Sequence, residues 1–139
     1  MTRLVHAALA VLVILAVAVG VAYAQAKTFA PIKGDVEIAL LPIKAVPDYK
    51  TKMVDTVIKV KNISPTGSIA GLKVVQYWWD KAGSPQPVGA ADARLKKPLQ
   101  PGEEATLTLQ LPIDPKMFRD SYVFTHANGK VKPKQVKTF

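Results

Sequence analysis

The sequence contains no cysteine and only two histidines. Without a thiol there can be no disulfide framework, no Cys-His nucleophile pair and no cysteine to carry a lipid anchor. His6 falls in an apolar N-terminal stretch, so His126 is the single histidine of the remaining chain, and a multi-histidine metal site is excluded. Helical periodicity is also missing beyond residues 1–24: no segment repeats apolar residues at three- and four-residue spacing. Gly102 and Gly129 fit no phosphate cradle. The carboxylates are scattered: Asp92, Asp114 and Asp120 stand beside turn or cap residues, and Glu103-Glu104 lie in a bend. A lone histidine with no orienting partner is expected to bond nearby backbone and fix a turn. No enzyme, no cofactor and no metal are expected from this inventory.

Residues 1–24 read as a signal peptide. Arg3 supplies a positive start, residues 7–19 are an unbroken apolar run, and Ala22-Tyr23-Ala24 places small residues before a cleavage point at Gln25. The apolar run is short for a bilayer span, which needs about 20 residues. The expected location is therefore periplasmic or secreted, with membrane contact only through an uncleaved signal segment. Stability must then come from packing alone, because an exported chain without cysteine has no covalent staple.

Loss of Arg3 with that segment leaves 18 basic residues against 10 acidic ones. Such a balance favours anionic partners, and an exported protein is not expected to meet nucleic acid. Part of the excess gathers at Lys130, Lys132, Lys134 and Lys137, all beyond the last acid, Asp120. These lysines read as a basic edge strand that resists pairing with other chains.

Between residues 35 and 139 short apolar or alternating runs are separated by Pro, Gly and Asn at the spacing of a β-sandwich. Residues 25–34 lack periodicity and read as an extended leader. Pro42 interrupts the first run, residues 36–46, as on an edge strand or one that switches sheets. In residues 54–61 Val54, Thr56, Ile58 and Val60 face inward, against Asp55, Lys59 and Lys61; Val57 is the exception. Ala105, Leu107, Leu109 and Leu111 form the inward row of the cleanest strand. Asp114-Pro115 suggests a single helical turn over residues 115–118. Asn128-Gly129 marks a hairpin, because both residues tolerate positive φ. About seven strands at this spacing imply an immunoglobulin-like, fibronectin III-like sandwich.

Period-two alternation places the adjacent Trp78 and Trp79 on opposite faces. Leu72 and Val74 mark the inner face, which assigns Trp78 to the core, although Gln76 lies on the same side. Val75, Tyr77 and Trp79 then form an outer stripe, and Val123 and Thr125 of the hairpin are expected to extend it. An apolar stripe of this kind serves as a partner surface unless the leader or the 85–92 connection covers it.

Three features lie in order along residues 54–111. A strand ends in Asn62, the next leads to Trp79-Asp80-Lys81-Ala82-Gly83, and Pro98-Leu99-Gln100-Pro101-Gly102-Glu103 precedes an alternating strand. This order resembles the FxLYD-type domains of bacterial exported proteins, with Ile58 where that family has Phe and Trp79 where it has Tyr. The resemblance implies an immunoglobulin-like fold and carries over no catalytic or binding residue. The expected function is a non-catalytic module that binds or assembles with a cell-envelope partner. The alternative is a glycan or anionic-polymer binder using surface aromatics and lysines.

Overall fold

The computed structural model describes residues 28–139, which hold eight β-strands and no helix. The expected signal peptide and residues 25–27 of the leader lie outside the described residues. The strands are β1 Val36–Leu40, β2 Lys44–Asp48, β3 Met53–Asn62, β4 Lys73–Trp79, β5 Gly89–Arg94, β6 Glu104–Pro112, β7 Arg119–His126 and β8 Gly129–Gln135. No helix among these residues is long and apolar enough to cross a membrane.

The long β3 organises one half of the molecule. β6 pairs with it antiparallel along its length, from Met53↔Pro112 to Lys61↔Glu104. Its other flank is shared: β2 takes Met53 to Val57, and β1 takes Val60 to Asn62. Pro42 therefore splits the first apolar run into two strands, raising the count to eight, and both halves stay on β3 instead of switching sheets. β1 also accepts β8 in parallel, and the order continues through β7 and β4 to β5. The result is one curled sheet whose two halves face each other, a β-sandwich-like arrangement around a single core.

Alternation decides what enters that core. Val54, Thr56, Ile58 and Val60 of β3 are buried, as are Leu107, Leu109 and Leu111 of β6, while Val57 points outward. Ile38 and Leu40, Leu72 and Val74, Leu99, Phe124 and Val131 close the interior. Gln76 sits among them fully buried, with its amide nitrogen bonded twice and its Oε1 without a partner among the described residues. Its Nε2 donates to Thr56 Oγ1 and to the Tyr122 hydroxyl, each at 3.0 Å. Tyr122 in turn donates to Asp120 Oδ2 at 2.6 Å. Burial, then the adjacent Asp120 carboxylate, holds the Tyr122 phenol well above its ordinary value, since both disfavour the phenolate.

Asn62 is the hub of the loops at one end. Its buried Nδ2 donates to Gly67 O at 2.8 Å and Leu99 O at 2.9 Å, while Oδ1 accepts the Ser64 N–H at 2.9 Å. One side chain thus ties the 62–68 loop to the Pro-Gly link before β6. The leader docks at the same end. Ser68 donates from its N–H to Ala30 O, and Ile32 N–H donates to Ser68 O. The leader's Ile32 side chain lies where a Cβ on Gly67 would fall, so glycine is required there by close approach.

Two expectations about local structure change. The β7–β8 hairpin exists, but its two-residue loop is Ala127 and Asn128, with His126 paired to Gly129, and neither loop residue has positive φ. Gly129 is needed for space instead: a Cβ there would collide with the Gly34 backbone. A turn without positive φ lacks the twist that keeps hairpin strands together. β8 accordingly leaves β7 after two register pairs and runs beside β1. β8 thus has β7 beside it only at Gly129 and Lys130 and β1 beside it from Val131 to Gln135, so the stretch carrying Lys132 and Lys134 is paired on one flank. Residues 115–118 form no helical turn either. Asp114 closes a tight turn by accepting the Lys116 N–H at 2.8 Å through Oδ1 and the Met117 N–H at 3.0 Å through its carbonyl.

Candidate functional site

The outer face of β5, β4 and β7 is set by register. β4 lies between β5 and β7, so each β4 residue has a partner on either side. Lys73 stands between Arg94 and Thr125, Val75 between Asp92 and Val123, and Tyr77 between Ala90 and Ser121; Trp79 pairs with Arg119. Directly opposed residues of antiparallel strands point to the same face. Val75, Tyr77, Trp79, Val123 and Thr125 therefore share one surface.

Among the described residues nothing folds over this surface. Val123 is 48% exposed, and Val75, Tyr77 and Trp79 are half-buried by their neighbours within the sheet. The described part of the leader bonds to Ser68 and Asn128, away from the aromatic rows. The 85–88 connection joins the strand edge, where Val88 N–H donates to Trp78 O at 2.8 Å. Trp79 Nε1 donates to Ser121 Oγ at 2.9 Å, which leans the indole across β7. Tyr77 and Trp79 stand 6.1 Å apart between ring centroids at a 40° tilt. Their separation is within the usual range for interacting aromatics.

Of the four lysines assigned to a basic edge, Lys130, Lys132 and Lys134 alternate with the buried Val131 and project outward from β8. They serve different surroundings. Lys130 is registered beside Thr125 and continues the β4–β7 face. Lys132 lies beside Glu37 in register and reaches Asp35 Oδ2 at 3.9 Å. Lys134 follows over β1, and Lys137 lies beyond the strand. Lys132 and Lys134 lie on a stretch of β8 that pairs with β1 alone, whereas Lys130 lies where β8 still pairs with β7.

His126 is buried, and its ring fixes the hairpin to the leader. Asn128 N–H donates to Nδ1 at 3.4 Å, so the proton lies on Nε2, which donates to Gly34 O at 2.6 Å. Both ring nitrogens are thus engaged by backbone. Asp80 is similarly committed to its turn. It accepts Ser84 Oγ–H at 2.6 Å and Ser84 N–H at 3.0 Å, and these bonds hold its carboxyl below the usual range.

Trp78 occupies the inner face but not the core. It lines a cavity of about 540 Å³ at the open end of the sandwich, with Pro47, Tyr49, Val54, Ile113 and Met117. Its Nε1 is buried without a partner among the described residues. Alternation gave the correct side of the sheet. The position of Trp78 near the strand's end, opposite Gly89 and Asp120, removed the neighbours that would have enclosed it. The cavity itself has no contiguous sequence signal, since three separate segments build it.

No family model matches the chain, and no curated protein matches it. Among solved structures, that of IrmA from Escherichia coli aligns with a TM-score of 0.44 at 8% identity, covering 70% of this chain and 91% of that one. At that level nothing about function transfers.

Proposed function

We propose that this chain is an exported, non-catalytic, immunoglobulin-like β-sandwich module that binds a cell-envelope partner through the outer face of β4 and β7. The observation carrying this reading is the solvent-facing row of Val75, Tyr77, Trp79 and Val123 on one rigid sheet surface. Aromatic side chains on a preformed surface supply large contact area at low entropic cost and are favoured interface anchors. The all-β fold supports the immunoglobulin-like assignment, and the resemblance to FxLYD-type domains rests on the sequence alone, through Asn62, Trp79-Asp80 and the Pro-Gly link. The N-terminal charge, apolar run and small-residue site support export.

Capture from the organism's own envelope extract tests the reading. Purified protein should retain a defined component, and Trp79→Ala should weaken that retention while the thermal melt changes little. Equal retention by the variant would remove the face from the proposal.

A further inference from the structure

The charges around the aromatic rows are arranged unevenly. Register aligns Arg94, Lys73, Thr125 and Lys130 in a row across β5, β4, β7 and β8, with no carboxylate in that row. Lys73 and Arg94 stand directly opposite each other, a like-charge arrangement that destabilises a sheet. The described residues form a single ion pair, Lys132 to Asp35, so neither member of this opposed pair is neutralised. Asp92, two residues from Arg94, is the acid nearest the aromatic rows, Asp35 Oδ1 accepts the Lys130 N–H at 3.3 Å beyond the β8 end of the row, and Arg119 adds a cation at the far end beside Trp79. From the Lys73 row to Trp79 is six residues of β4, about 20 Å at roughly 3.3 Å per residue. Between these ends lie the two aromatic rings and the exposed hydroxyls of Ser121 and Thr125.

We infer that the partner taken by this face is an acidic polysaccharide, an inference that rests on the binding role proposed above. The chain of sugars lies along β4. An anionic group relieves the repulsion at the Arg94–Lys73–Lys130 row, sugar rings stack on Tyr77 and Trp79, and hydroxyls bond Ser121, Thr125 and Asp92. Two features favour a polysaccharide over a bilayer. The indole is held along the sheet by its bond to Ser121, so it offers a stacking face and not an inserting wedge. The aromatics also lie between cations at the two ends of one line, which suits a linear polymer. Electrostatic complementarity of this kind sets specificity and encounter rate.

Binding of purified protein to polygalacturonate, to neutral dextran and to phosphatidylglycerol vesicles tests the inference. The variants are Trp79→Ala, the pair Lys73→Gln with Arg94→Gln, and as a charge-matched control the pair Lys132→Gln with Lys134→Gln. Polygalacturonate should bind and dextran should not. Trp79→Ala and the Lys73/Arg94 pair should each weaken binding by about tenfold or more, the size of a lost interface anchor, and the control by less than about twofold. Affinity should fall as salt rises. Equal loss in the control pair would show that net charge alone attracts the polymer and would overturn the inference. Binding to vesicles but not to polygalacturonate, or undiminished binding by Trp79→Ala, would overturn it too. If no polymer binds while Trp79→Ala still abolishes capture from envelope extract, the acidic-polysaccharide inference falls and the binding role stands.

Discussion

Asn62 and Tyr122 show how single buried polar side chains hold this cysteine-free domain together. Asn62 bonds the carbonyls of Gly67 and Leu99 and the Ser64 amide from a fully buried position, and Leu99 O also accepts the Ile69 N–H. Leaving buried groups unsatisfied costs about 1–3 kcal/mol each. Asn62→Ala should therefore lower unfolding free energy by about 2 kcal/mol or more, read from urea melts. Tyr122 makes stability depend on pH. Its phenol titrates above its ordinary value in the folded state, so its contribution is complete below about pH 10 and is lost as pH rises beyond the unfolded value. The stability lost between pH 9 and pH 11 should be smaller in Tyr122→Phe than in the parent, with lysine titration common to both. An identical loss in the two proteins would show that the phenol is not perturbed by burial and Asp120.

At the scale of elements, the β3–β6 pair carries the longest continuous register and six buried aliphatic side chains, Val54, Ile58, Val60, Leu107, Leu109 and Leu111. Leu109→Ala should cost about 2–5 kcal/mol, whereas Val57→Ala on the same sheet's outer face should stay within about 0.5 kcal/mol. Chemical denaturation of both variants checks the facing of β3 and β6 at once. That facing was legible in the sequence because period-two alternation fixes side-chain direction wherever one face is wet. The strands of the outer stripe were legible for the same reason, and register then brought Val123 and Thr125 beside Val75 and Lys73. What alternation could not supply was pairing. Lys130, Lys132, Lys134 and Lys137 read as a free edge, and nothing in that pattern told that the hairpin would splay after Lys130 and deliver β8 in parallel to β1. Gly129 looked like a turn residue and is instead demanded by the Gly34 backbone lying against it. Trp78 looked like a core anchor, but its place near the end of β4 leaves it half-buried over a cavity.

For the whole molecule, a basic composition and a curled sheet without cysteine accompany the export proposed above. If export proceeds as proposed, N-terminal sequencing of the protein recovered from the envelope or medium should begin at Gln25; retention of residues 1–24 would contradict it. Reducing agent should leave the melting temperature unchanged, because no cysteine exists to lose. The central claim is that the outer face of β4 and β7 binds while the inner face folds. Its most direct test compares Trp79→Ala with Trp78→Ala by thermal melt and by partner capture. Trp79→Ala should change stability by about 1 kcal/mol or less and sharply reduce capture, since its indole bonds only Ser121 at the surface. Trp78→Ala should lower stability by about 2 kcal/mol or more while any folded fraction still captures the partner. Full capture by folded Trp79→Ala, or unfolding as severe as that of Trp78→Ala, would contradict the claim.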